Sequence, residues 1–197
     1  MFTGIILAGG DERMDEKKIP LLYFRNERLI MRQIDEMKKI CREIIIVTNE
    51  PHNYLPIVPR EVRIITDFYK KRGPIGGMHA GFSLATNDLV WVVSCDMPFL
   101  SAAAAEWMAD RLKQTGADVV IPVLNGKAHP YYGVYERKDT RNNIVDMIDR
   151  GKSKISSLLE KIDCVLVSER DLETNRISPL FVYRIHSLQE MSEAESW

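Results

Sequence analysis

Four short apolar runs in the first half of the chain do most to limit its fold: FTGIIL at 2–7, EIIIVT at 43–48, VRIIT at 62–66 and LVWVVS at 89–94. None keeps a strict apolar–polar alternation. Strands of that kind are buried on both faces, as in a parallel sheet covered by helices. The stretches between them suit those helices. Ile30, Ile34, Met37 and Ile40 fall near helical spacing across 29–40. Residues 76–85 open with glycines and turn helical, and an Ala-rich helix over 101–115 starts at Ser101, a good N-cap. Further strands are expected at 117–122, 131–135, 164–167 and 181–183, with helices at 142–147 and 154–162. The expected architecture is α/β: a mostly parallel, twisted sheet with helices on both faces. A chain of 197 residues suits one domain over 1–191, leaving the polar segment 192–197 as a loose tail.

Composition excludes several functions. Lys and Arg number 27 against 28 Asp and Glu, a net charge of −1, so a nucleic-acid surface built on excess positive charge is not expected. No run approaches the roughly 18 apolar residues of a membrane span. The opening MFTGIILAGG lacks a basic n-region and is not expected to act as a secretion signal. Three widely spaced cysteines, Cys41, Cys95 and Cys164, fit a reducing compartment and neither a disulfide framework nor a zinc site. The chain is expected in the cytoplasm, with no nucleic-acid or membrane partner. Cys41 is expected on a helix face and Trp91 in the core.

Ligands of parallel α/β sheets sit beyond the carboxyl ends of the strands. Three predicted ends carry suitable residues. Leu7-Ala8-Gly9-Gly10 follows the first run; its glycines let backbone N–H groups approach a phosphate, and Arg13, Lys17 and Lys18 add cations nearby. The plainer reading is a strand-to-helix turn with a solvated basic face, and neither GxxxxGK[ST] nor GxGxxG is present. Asp96, in Ser94-Cys95-Asp96-Met97-Pro98, is placed to hold Mg²⁺, which takes one or two carboxylates plus phosphates and waters. It is equally suited to cap the next helix. Asp67 precedes Gly73-Pro74-Ile75-Gly76-Gly77 and can accept hydrogen bonds from a base or a ribose hydroxyl; a glycine-rich helix cap explains the segment as well.

Taken in order, LAGG, Arg13-Met14, Lys18, Asp67, GPIGGMHAGF and CDMPF resemble the molybdenum cofactor guanylyltransferase family. These enzymes are nucleotidyltransferases with a nucleotide-diphospho-sugar transferase-like, Rossmann-like fold. The resemblance is strong over the first hundred residues and thinner beyond. It implies transfer of GMP from GTP to the molybdopterin-bound molybdenum cofactor, with release of pyrophosphate. It implies that Leu7, Ala8, Gly9, Gly10, Lys18, Asp67 and Asp96 bind the nucleotide. Arg13, Lys18 and Asp96 would serve catalysis, with Mg²⁺ as cofactor on Asp96. Partners would be GTP, the molybdopterin cofactor, and molybdoenzymes or other proteins of cofactor synthesis.

The chain departs from the family pattern in places. Only Asp11, Glu12 and Arg13 separate Gly10 from Met14, one residue fewer than usual, and Asp15 replaces a glycine. Carboxylates beside a triphosphate repel it by about 1 kcal/mol per pair at 4 Å in water. Met97 stands where threonine is frequent. Arg184-Ile185-His186-Ser187 stands where the family often has Asn-x-Asn-Thr-Pro. His129-Pro130 resembles a pair near the acceptor pocket and is equally a surface turn. CTP in place of GTP, a sugar phosphate or other small phosphate as acceptor, and a nucleotide-binding relative without turnover are the competing readings.

Overall fold

The computed structural model describes residues 1–9, 19–69 and 72–197. Among the described residues the chain runs β1 (Phe2–Leu7), β2 (Tyr23–Phe24), β3 (Glu27–Arg28), α1 (Leu29–Lys38), β4 (Cys41–Val47) and β5 (Arg63–Ile65). It continues through α2 (Pro74–Leu84), β6 (Leu89–Ser94), α3 (Ala102–Thr115), β7 (Val119–Leu124), β8 (Lys127–Ala128) and β9 (Tyr132–Glu136). It ends with α4 (Arg137–Asp149), α5 (Ile155–Leu159), β10 (Cys164–Ser168), α6 (Glu169–Thr174) and α7 (Leu188–Glu195).

The main sheet has the order β10-β7-β9-β6-β1-β4-β5, with β8 hanging on β7. β1 pairs in parallel with β4 and β6, β4 with β5, and β7 with β10. β9 runs antiparallel to both β6 and β7, so the mostly parallel sheet carries one reversed strand.

Successive side chains on a strand point to opposite faces, and the central strands feed two separate cores. Ile6, Ile46, Trp91 and Val93 pack with Ile30, Ile34 and Met37 of α1 and Met108 and Leu112 of α3. Ile5, Ile45, Val90 and Val92 pack on the other side with Ile75, Met78 and Phe82 of α2 and Ile144 and Met147 of α4. Each fully buried Ile or Val contributes roughly 1.5–3 kcal/mol. This double burial is why the runs are apolar throughout. α2 lies so close to β1 that a Cβ on Gly81 would stand 2.6 Å from Ile5 Cδ1. Ser101 caps α3 as expected, its Oγ accepting from the Ala104 N–H at 3.1 Å.

Several expectations are corrected. Residues 181–183 are not a strand: Pro179 fixes φ, and Pro179–Val182 forms a 3-10 turn. The tail is not loose. Residues 192–195 belong to α7, Ala194 is fully buried, and the Trp197 ring lies 6.1 Å from that of Phe99. Cys41 opens β4 instead of lying on a helix, and burial pushes its thiol up to about 12. The helix expected at 142–147 begins at Arg137, capped by the Glu136 carboxylate, and that at 154–162 shrinks to α5. The β2–β3 hairpin was not foreseen; its turn places Arg25 and Asn26 at positive φ.

Glu43 ties together the sheet end away from the strand carboxyl termini. It accepts from the Thr3 hydroxyl at 2.7 Å and from the Thr86 N–H at 2.9 Å, and pairs with Arg63. Burial raises its carboxyl, but these bonds outweigh burial and leave it below its ordinary 4.5. A carboxyl lowered on folding stabilises above its unfolded pKa, and that contribution is lost as pH falls through the folded value. Urea unfolding below pH 4.5 should therefore show a shallower acid loss in Glu43→Gln than in the parent. Gly81→Ala should cost about 1–3 kcal/mol at neutral pH by the same measurement, because the added methyl has no space against Ile5.

Candidate active site

The register of the parallel strands sets the site. Leu7 lies opposite Val47 on one side and Ser94 on the other, and Val47 opposite Ile65. Two residues beyond this level row come Gly9, Asn49, Asp96 and Asp67, one from each strand. They share one rim, where ligands of α/β sheets bind. The rim is firmly held. The Ala8 N–H donates to Val47 O at 2.8 Å, the Cys95 N–H to Leu7 O at 3.2 Å, and the Thr48 N–H to Ile65 O at 2.9 Å.

Of the residues expected to bind nucleotide, Leu7 is buried and its carbonyl is engaged. It supports the loop from below. Ala8 is half-buried and Gly9 exposed, at the point where the chain leaves the sheet. Asn49 Nδ2 lies 3.9 Å from where a Gly9 Cβ would be, so an exposed amide flanks the loop. Gly10, Arg13 and Lys18 lie outside the described residues, as do Asp11, Glu12, Asp15 and Lys17.

Asp67 is half-buried against the start of α2. Its Oδ1 accepts from the Tyr69 N–H at 2.8 Å. A Cβ on Gly76 would stand 2.7 Å from Oδ1 and 2.8 Å from Cγ, so the glycine makes room for the carboxylate. Burial pushes the Asp67 carboxyl up, against the lowering effects of the Tyr69 amide and of His79. His79 is buried with its ring edge-on to Tyr69 at 4.9 Å and Phe68 at 5.9 Å. Burial first, and then the Arg141 cation, push the imidazole down toward the neutral form, and its Nδ1 has no hydrogen-bond partner among the described residues. Phe68 and Tyr69 leave exposed rings next to Asp67. Sequence reading overlooked both. Their position directly after a strand end was the signal that could have found them.

Asp96 is buried, and it does not cap a helix, because Ser101 caps α3. Its carboxylate faces Arg184, whose Nε lies 3.0 Å from Oδ1 and 2.9 Å from Oδ2, with Nη2 2.7 Å from Oδ2. His186 Nδ1 lies 4.0 Å from Oδ2. Burial lowers the Arg184 pKa, but its bonds to Asp96 outweigh burial and raise it overall. Gln33 supports the turn by donating from Nε2 to Ser94 O and Met97 O, both at 2.9 Å. Cys95 is no nucleophile, because burial and then the adjacent Asp96 charge push its thiol up.

No group of three or more His, Cys, Asp or Glu side chains able to cage a metal occurs among the described residues. One carboxylate at a strand end suits a different mode. Mg²⁺ keeps waters and binds through one or two carboxylates together with substrate phosphates, so the donor set fits an ion arriving with a triphosphate.

Residues 4–166 match the model of the MobA-like NTP transferase domain. The chain is 29% identical over 201 residues to the molybdenum cofactor guanylyltransferase of Desulfosudis oleivorans, covering 98% of this chain and 94% of that protein. It is 30% identical over 170 residues to a probable molybdenum cofactor guanylyltransferase of Pelotomaculum thermopropionicum, covering 86% and 80%. Among solved structures, molybdopterin-guanine dinucleotide biosynthesis protein A from Archaeoglobus fulgidus superposes with a TM-score of 0.82 at 20% identity, covering 98% and 97% of the two chains. The 2-C-methyl-D-erythritol 4-phosphate cytidylyltransferase from Thermus thermophilus superposes with a TM-score of 0.68 at 12% identity, covering 98% and 96%. These likenesses establish the nucleotide-diphospho-sugar transferase-like fold, which by itself does not specify a substrate. The match across most of the chain, with the motif residues of β1, β5 and β6 on one rim, places this chain in the MobA-like NTP transferase family.

Proposed function

We propose that this chain is a molybdenum cofactor guanylyltransferase, moving GMP from GTP to the phosphate of the molybdopterin-bound molybdenum cofactor. The observation that supports this reading best is the level rim of Gly9, Asp67 and Asp96, in a chain whose similar-length relatives carry that name. An oxygen of the acceptor phosphate attacks the α-phosphorus of GTP. The new P–O bond forms as the bond to the bridging α–β oxygen breaks, and pyrophosphate leaves with the electron pair. The reaction needs no covalent enzyme intermediate. Placement of the two phosphates and neutralisation of their charge supply the rate.

The chain's residues divide this work. The Ala8 N–H is held by Val47 O, so the backbone N–H groups of Gly9 and Gly10 would border the phosphates beside Ala8, with Arg13 and Lys18 adding positive charge. Asp67, held against Gly76, accepts hydrogen bonds from the ribose or base. Donors from a bound nucleotide favour its charged form and oppose the upward push of burial. Asp96 would hold Mg²⁺, which on binding neutralises charge on the phosphate oxygens. Three free cysteines suit a cytoplasmic enzyme.

A thermal-shift panel of GTP, CTP, ATP and UTP with Mg²⁺ tests the nucleotide. GTP should give the largest rise, because a ligand at 100 times its Kd stabilises the native state by about 2.7 kcal/mol. A larger rise with CTP would replace guanylyl by cytidylyl transfer. Asp96→Ala should lower Mg²⁺-dependent pyrophosphate release at least about a hundredfold while keeping native circular dichroism. Full activity would remove Asp96 from the mechanism. Lys18→Ala should weaken GTP binding at least about tenfold, or about 1.4 kcal/mol, by calorimetric titration. Parent-like affinity would show that the loop after β1 holds no phosphate.

A further inference from the structure

The segment after Pro179–Val182 returns to the rim at Asp96. The Ile185 N–H donates to Asp96 O at 2.9 Å, and the Ile185 side chain is fully buried, so the strap is anchored on both sides of its backbone. Arg184 covers the Asp96 carboxylate, with side-chain exposures of 39% and 8% respectively. Its fork engages both oxygens, and Nη2 also reaches Ser94 Oγ at 3.5 Å. The guanidinium is thus the exposed half of the pair and the carboxylate the buried half.

The strand order gives this pair a direction. Gly9, Asn49 and Asp67 lie on the β1-β4-β5 side of Asp96. The charge of Arg184 acts instead on His129 and Tyr131, in the connection leading into β9 on the opposite side of β6. Lys127 acts on His129 as well, and His186 faces Asp96 from the strap. A nucleotide seated over Gly9 and Asp67 therefore leaves the Arg184 side to the second substrate. The residues there are Lys127, His129, Arg184 and His186, a set of cations and imidazoles; besides Asp96, the Glu190 carboxylate reaches this side among the described residues, accepting from the His186 N–H at 2.6 Å.

We propose that Arg184 is the residue that selects a phosphate monoester on the second substrate, and that it becomes free to do so only when a divalent cation takes its place at Asp96. This rests on the transferase reading for the identity of the two substrates. The carboxylate cannot hold a guanidinium fork and a divalent cation equally well, because the two cations repel at that spacing. A displaced Arg184 keeps its side chain on the exposed surface beside His129 and His186. Its planar fork matches two oxygens of a phosphate, as it matches the carboxylate now. The pair therefore links metal occupancy to acceptor binding: the cation and the phosphate stabilise the same displaced arrangement, and each raises affinity for the other.

Arg184→Gln and Arg184→Lys test this with Mn²⁺ and phenyl phosphate as probes. In nucleotide-free protein, titration with Mn²⁺ followed by electron paramagnetic resonance should give Arg184→Gln at least about threefold tighter binding than the parent. Arg184→Lys should fall between, because one ammonium holds Asp96 less completely than a fork. In the parent, Mn²⁺ should tighten phenyl phosphate at least about fivefold; Arg184→Gln should lose that gain and Arg184→Lys retain part of it. A thermal melt verifies folding, and the Lys variant carries the test where the Gln variant does not fold. Parent-like Mn²⁺ affinity in the variants, or a Mn²⁺-dependent gain in phenyl phosphate binding that survives in Arg184→Gln, would overturn the proposal. GTP titrated into the same samples separates the two readings. Absence of GTP binding in the parent defeats the transferase reading and leaves the Mn²⁺ and phenyl phosphate outcomes standing on their own.

Discussion

The in-register parallel pairing of β1 with β4 and β6 is the constraint on which the rest depends. From Thr3 to Leu7, β1 pairs in constant register with both neighbours, after one irregularity against β4 between Phe2 and Thr3. Its neighbours therefore end at the same level, and each chain leaves the sheet at a matching point. A slip of one residue would turn Ile5, Ile45 and Val92 from one core to the other and move Asp96 or Asp67 off the rim. The two cores prevent the slip, since each strand offers apolar side chains to helices on both faces. The requirement that fills the core thus also aligns the site.

Close packing of α2 extends this alignment to the site's second carboxylate. Gly81 lets the helix approach Ile5, and Gly76, in its first turn, leaves space for the Asp67 carboxylate. A side chain at either position would separate the helix from the strand or eject the carboxylate. The glycine-rich segment is thus read most simply as a packing device with a functional result. The same approach buries His79 beside Tyr69 and Phe68 and keeps its imidazole toward the neutral form.

Asp96 presents the opposite electrostatic problem. A carboxylate at a buried strand end costs stability unless it is paired. The chain meets this need from 88 residues away, with Arg184 on a strap fixed by its own backbone bond to Asp96. The C-terminal region is accordingly part of the rim. α7 and Trp197 hold that region against the body through Phe99 and Tyr183, and Glu195 accepts from Arg25 at the β2–β3 turn.

The sequence by itself determined the α/β layering, because doubly buried strands must be apolar throughout, and the places where Gly9, Asp67 and Asp96 follow strand ends. Ser101 was legible as a cap because its requirement is local. What needed contacts distant in sequence was not legible. β9 reads like any other apolar strand, and only its pairing with β6 and β7 reverses it. The segment 181–183 has strand-forming residues, yet Pro179 and packing of Phe181 against Tyr132 curl it into a turn. The polar residues of 192–197 conceal one buried face, which forms only when Ala194 and Met191 meet the cluster around Phe24 and Ile185. Arg184 stood out in the sequence only as a departure from a familiar pattern. Tertiary structure alone decided that it closes on Asp96, because electrostatic pairing depends on distance in space and not on separation along the chain.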